Sequence, residues 1–312
     1  MKIKKILTSV ALIICTLFMV FGFSGCADGD KNMKKDICEI TDSYTNVLIN
    51  IETADIHLLK TESDQTSVSS YLHNKTTLTA EVVDDTLVVK IKDTRKWYEK
   101  IFNFSSPHIG ITMPESKDYA SLTLHATTGD VYVDKFQFEN INIKLTTGDV
   151  SNYASSTGVI KVDASTGDIR MEDISAGSVG CAVTTGDIKL VNVNSSGNVK
   201  TEASTGKMSL TNVTCKNFTV DGGTGDVILK SVLADEKFNI DVTTGDVKFD
   251  RCDAAELDVE TTTGDVTGTL RTDKIFITKA TTGKINVPET TTGGVCKIKV
   301  TTGDIKISIY EE

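Results

Sequence analysis

The sequence predicts an all-β fold: a single-stranded parallel β-helix (β-solenoid) with about 19–20 residues per coil and a less regular N-terminal cap. Three observations lead there. The tetrapeptide Thr-Thr-Gly-Asp or a close variant recurs with its glycine at Gly129, Gly148, Gly167, Gly186, Gly206, Gly225, Gly245, Gly264, Gly283 and Gly303. Every interval is 19 or 20 residues, so the chain repeats one supersecondary unit, and a unit this short without helix-like spacing is a coil of β-structure. Apolar residues also alternate about each glycine. Two residues after it stand Val131, Val150, Ile169, Ile188, Met208, Val227, Val247, Val266, Ile285 and Ile305. Four residues after it are mostly apolar as well, with Asn152 and Gly268 as exceptions. Before it the alternation runs backwards, as in Ile141, Ile143 and Leu145, so a period of two turns every second side chain inward.

In chain order, residues 1–25 have the layout of a secretory signal: Lys2, Lys4 and Lys5, an apolar run from Ile6 to Phe23, then Phe23-Ser24-Gly25-Cys26. The last four residues resemble a lipobox, with Phe23 where Leu is usual, and this implies that Cys26 becomes the lipidated N-terminus. A membrane-spanning helix is the competing reading of an apolar run this long. The switch to polar sequence at Asp28 and the small residue before Cys26 favour the lipoprotein signal. Residues 26–44 are expected to be the lipidated Cys and a tether.

Residues 45–121 are expected to form the cap with degenerate coils. Val47, Ile49, Ile51, Thr53-Ala54-Asp55, Ile56 and Leu58 reproduce the coil register with Ala54 in place of glycine. Leu78 to Ile91 predicts two strands joined at Asp84-Asp85, and Ile109 to Met113 a strand stopped by Pro114. A solenoid's open end needs a cover for its core and its pairing edge. Residues 122–312 are expected to be the ten-coil solenoid, its coils stacked in sequence order at about 4.8 Å. The glycines then mark corners needing φ > 0 or close backbone approach.

Composition agrees and excludes some functions. Threonine supplies 44 of 312 residues, aromatics only 6%, and the net charge is −10. Small β-branched residues must therefore fill the core, and an acidic chain lacks the basic footprint of a nucleic-acid binder. Ten of the threonines stand just before the corner glycines and seven one position earlier. The two neighbours are expected to point to opposite sides, which argues against a flat threonine face of the ice-binding kind. Beyond the signal, Cys38, Cys181, Cys215, Cys252 and Cys296 form no Cys-x-x-Cys or Cys/His pattern; Cys181, Cys252 and Cys296 fall on inward positions and read as small core hydrophobes.

Two further features are candidates for chemistry. Asp130, Asp149, Asp168, Asp187, Asp226, Asp246, Asp265 and Asp304 follow the corner glycines and form a column, interrupted by Lys207 and Lys284. One reading is a cation column. The other is a set of side chains each accepting a corner N–H, favoured because nonapeptide calcium rolls need a second Gly/Asp turn that is missing here. Trp97, Tyr98, Phe102 and Phe104, after Lys92, Arg95 and Lys96, are a candidate membrane or partner contact, with a plug for the end of the core as the plainer reading.

The lipobox, the irregular strand-rich opening, the Ile109 to Pro114 strand and the Thr-Thr-Gly-Asp-Val coils together resemble the bacterial putative adhesin family over about residues 45–310. The resemblance implies a β-strand-repeat domain of unknown function, related by fold to pectate-lyase-like β-helices. It brings no catalytic residues and no cofactor.

The functional expectation is a non-catalytic, extracytoplasmic lipoprotein held at the membrane by its lipid. It would serve as an adhesin or scaffold that binds envelope glycan or a membrane-protein partner. An accessory of an envelope-stress signalling system is the first alternative. A glycan-active β-helix enzyme is the second; it would need clustered acids breaking the coil pattern, whereas His57, His73, His108 and His125 share no motif.

Overall fold

The computed structural model describes residues 32–96 and 107–310, which form strands and turns with no helix. The signal, Cys26, Trp97, Tyr98, Phe102 and Phe104 lie outside the described residues.

Each regular coil is built as the alternation requires. In the Gly186 coil, strand Ser178–Thr185 points Val179, Cys181 and Val183 inward, the chain turns at Gly186, and strand Ile188–Ser195 points Ile188, Leu190 and Val193 inward. The next coil lies in parallel register upon it, Ile188 opposite Met208 and Leu190 opposite Leu210. Columns of like residues thus stack into one continuous core. Each fully buried aliphatic side chain contributes roughly 1.5–3 kcal/mol, so the missing aromatics are replaced by number and by stacking.

A second corner was not anticipated. Six residues after the glycine the backbone turns through the left-handed region at Asp173, Asn192, Asn212, Ser231 and Arg251, with φ of 51–55°. Asn and Asp tolerate this conformation best, and they occupy three of the five positions. A ladder fastens them: Asn192 Nδ2 donates to Asp173 Oδ1 at 2.8 Å, and Asn212 Nδ2 to Asn192 Oδ1 at 3.0 Å. Strands Ile169–Ala176 and Ile188–Ser195 are therefore each one strand bent at a fixed point.

Stacking follows sequence order from the Gly129 coil to the Gly264 coil, and there it departs from expectation. Strand Glu256–Thr263 pairs with Gly294–Thr302, which pairs in turn with Lys274–Thr282. After the corner, Val266–Leu270 likewise pairs with Ile305–Ile309, and Ile305–Ile309 with Ile285–Asn286. The Gly303 coil is thus inserted between the Gly264 and Gly283 coils. Local periodicity cannot reveal this, because coils with one repeat register offer each other equivalent pairing edges.

The N-terminal end has a related inversion. The Ala54 coil, strands Asn46–Thr53 and Asp55–Thr61, stacks on the Gly129 coil through Tyr119–Thr128 and Val131–Val133. On its other side lie Thr86–Asp93 and His108–Pro114, also parallel. The cap is antiparallel: Thr76–Val83 pairs with Thr86–Asp93, and Thr66–His73 with His108–Pro114. Asp84 and Asp85, at φ 48° and 61°, make the tight turn expected between the two hairpin strands. Met33–Ile40, expected as tether, is instead a strand paired antiparallel with Thr66–His73.

Candidate functional site

The corner that repeats most faithfully is exposed at its threonines and at most of its aspartates. Its glycines have φ between 124° and 149°, and their neighbours leave no room for a side chain. A Cβ on Gly186 would lie 2.1 Å from the carbonyl oxygen of Gly167. Glycine is required here both for its backbone angle and for the approach of the next coil.

The column of Asp side chains has a definite task at this line. Asp130 Oδ1 accepts the backbone N–H of Asp149 at 2.9 Å, Asp149 that of Asp168 at 2.7 Å, and Asp168 that of Asp187 at 2.7 Å. The series begins at Asp55, which accepts from Asp130 N–H, and continues from Asp265 to Asp304 N–H at 2.8 Å. It closes with Asp304 accepting from Lys284 N–H at 2.7 Å. Lys284 stands on the outermost coil, where no further coil offers a corner N–H, so a carboxylate there would have nothing to cap. For Asp246, the N–H of Asp265 and the ammonium of Lys248 hold the carboxyl below its ordinary range. Among the described residues no group of three or more His, Cys, Asp or Glu is placed to hold a metal ion.

The doubled threonines do not point to opposite sides. Both are exposed in every coil that has them, because the chain swings outward as it enters the corner and the pairing register skips one residue, as at Thr146. Among the described residues no protein group hydrogen-bonds their hydroxyls, so the corner carries two adjacent rows of hydroxyl groups along the rod.

Shallow grooves flank this ridge. On the side before the corner a groove of about 740 Å³ runs across the coils from His125 to Gly223. Its floor is small and apolar, including Ala126, Ala164 and Ala203, and its polar margins include Lys144, Asp163, Glu202 and Asp221 opposite the hydroxyls of Thr146, Thr184 and Ser204. The margin is partly self-paired, Lys161 with Asp163 at 3.1 Å and Lys200 with Glu202 at 2.6 Å. Further along the row, partial burial and then repulsion from Glu260 and Asp221 push the Asp241 carboxyl upward. On the other side, a groove of about 380 Å³ is lined by Asp149, Asp168, Asp187, Arg170, Lys189 and Lys207.

Sequence reasoning found the ridge and missed the margin, four residues before each glycine, because that column changes identity from coil to coil. The signal was present as a second outward position near the corner, beside the Asp column, that is rich in ionisable residues. The four described histidines are not brought together at either groove; His125 alone lines one. Four cysteines are not set up as nucleophiles: Cys181, Cys215, Cys252 and Cys296 are buried, and burial pushes the thiols up, to about 11 for Cys252 and about 12 for the other three. Such thiols stay protonated at neutral pH and are poor nucleophiles.

A corner ridge between polar grooves, on a rod of stacked parallel coils, defines an elongated β-solenoid of the repeat class. The chain belongs to the Toastrack DUF4097 family, whose model matches residues 44–205 and 195–312. Among solved structures it is similar to a putative adhesin from Parabacteroides distasonis, at 12% identity and a TM-score of 0.51, over 89% of this chain and 98% of that one. A putative adhesin from Bacteroides fragilis aligns at 13% identity and a TM-score of 0.46, over 89% and 98%. A putative lipid binding protein from Parabacteroides distasonis aligns at 17% identity and 0.47, over 77% and 95%. At such identities the likeness is one of fold. Comparison with curated protein sequences returns no match.

Proposed function

We propose that the protein is a non-catalytic cell-surface lipoprotein, tethered through Cys26, whose corner grooves bind an envelope polymer or an envelope protein. The observation that carries this reading is the long groove with its unpartnered hydroxyl rows. An extended ligand lying along the rod meets hydroxyls, an apolar floor and ionisable side chains in successive coils. That suits weak contacts repeated many times better than one deep pocket. The putative adhesin of like fold from Parabacteroides distasonis supports a binding role. The Asp column serves the corner backbone in this reading, and a cation would add to that role.

Excision of residues 149–206 tests it, since this removes three whole coils and most of the groove and rejoins equivalent positions. The full chain is expected to co-sediment with isolated bacterial envelopes, and the shortened chain to bind about tenfold more weakly while still melting cooperatively. Equal retention of both chains overturns the groove as the binding site. Separately, Cys26→Ser is expected to release the protein from the membrane fraction; an unchanged membrane fraction overturns the lipid anchor.

A further inference from the structure

The strands before the corner form one long sheet with two edges. Among the described residues, one edge is Thr76–Val83, paired only with Thr86–Asp93, and the other is Lys274–Thr282, paired only with Gly294–Thr302. An unpaired edge exposes a row of backbone N–H and C=O groups, and natural sheets usually cover or charge it. Both edges here also expose large apolar side chains, Val83 at 46% and Ile277 at 55%. Their inward rows are only partly covered: Leu78, Ala80 and Val82 at one end, Phe276 and Ala280 at the other.

We propose that these two edges are complementary and that a second copy of this chain docks end to end, Lys274–Thr282 of one molecule adding to Thr76–Val83 of the next. The occupant follows from charge and register. The first edge carries Glu81 on its outward row and the second Lys279. Thr76–Val83 runs antiparallel to the strand beneath it, whereas Lys274–Thr282 runs parallel to the rest of the sheet, so coaxial stacking joins them antiparallel. Placing Lys279 opposite Glu81 then fixes every other pair. Ile277 faces Val83 and Thr281 faces Thr79 on the outer surface, while Ala280 faces Ala80 and Thr278 faces Val82 inside. On the outer surface one register thus matches charge with charge, apolar with apolar and threonine with threonine, the cross-strand pairs that stabilise sheets. Joining the edge Lys274–Thr282 to itself would instead bring two basic edges together. The contact is heterologous, so it grows into open rows of rods rather than closing as a dimer.

The test is sedimentation velocity of the full-length chain in mild detergent over a range of concentrations. A series of species growing with concentration is expected. Glu81→Lys or Lys279→Glu alone should weaken association by about tenfold, because each places like charges opposite one another. The double variant Glu81→Lys/Lys279→Glu should restore it. Both side chains are exposed, so the fold is not at stake, and far-UV circular dichroism of each variant checks this. A monomer at every concentration, an unchanged series in either single variant, or failure of the double variant to recover overturns the proposal. Envelope binding by the grooves is read separately and does not depend on this outcome.

Discussion

At the scale of single residues, backbone geometry outranks charge at the corner. Gly186→Val should cost about 3–5 kcal/mol, since the side chain meets a carbonyl at a φ of 146°, whereas Asp187→Asn should cost about 1 kcal/mol because an amide oxygen still accepts the next N–H. Denaturant titration of both variants measures the order, and the reverse order argues for a charge-dependent column. Asp241 offers a second test. Its carboxyl is pushed above the ordinary range, so its charge costs stability at pH values above that raised range, and the cost vanishes once the group is protonated in both states. Asp241→Asn should therefore raise the melting temperature at pH 7 and leave it unchanged near pH 3. The glycines, the Asp column and the inward cysteines were legible in the sequence because each answers a requirement repeated in every coil. The second corner was not, because Asp173, Asn192, Asn212, Ser231 and Arg251 share a backbone angle while their side chains range from Asp and Asn to Ser and Arg. Gly268 shows the same logic: the coil that departs from the apolar pattern there takes a φ of 133° instead, where a Cβ would lie 1.9 Å from the carbonyl oxygen of Phe249.

At the scale of strands, the inserted Gly303 coil needs something to hold the gap that it fills, and one buried lysine spans it. Lys274 lies opposite Gly294 in register, yet its Nζ reaches Asp253 Oδ1 at 2.6 Å and Thr272 Oγ1 at 2.7 Å, with only 4% of its side chain exposed. Asp253 belongs to the coil on the far side of Gly294, so the absence of a side chain at Gly294 lets the pair close across the inserted strand. A Cβ there would sit 1.8 Å from the carbonyl oxygen of Ala255. Removing one partner of a buried pair strands the other, so Lys274→Ala should cost about 3 kcal/mol, and adding Asp253→Ala should recover part of that loss. Thermal melts of the two singles and the double measure the coupling; additive losses would mean that the pair does not act as a clamp. Nothing in the repeat pattern marks Lys274 as a buried residue; only the order of the coils turns it inward.

At the scale of the whole molecule, the two inversions change how the rod comes apart. In an array stacked in sequence order, each repeat contacts only its neighbours in the chain, and protection falls toward the ends. Here the Gly303 coil is paired on both sides while the Gly283 coil, earlier in sequence, is the outer one. The Ala54 coil is likewise enclosed between Thr86–Asp93 and Tyr119–Thr128. Fraying therefore cannot begin with the coil nearest the C-terminus in sequence without first opening a coil that precedes it. Native-state hydrogen exchange should find the amides of Gly294–Thr302 at least about tenfold better protected than the outward-facing amides of Lys274–Thr282. Docking of a second copy on that edge would protect those amides too, so the comparison belongs at low concentration or in Lys279→Glu. Protection that declines steadily from Glu256–Thr263 through Lys274–Thr282 to Gly294–Thr302 would mean that the coils stack in sequence order after all. It would also leave Lys284, the one corner cation at the end of the carboxylate ladder, without its explanation.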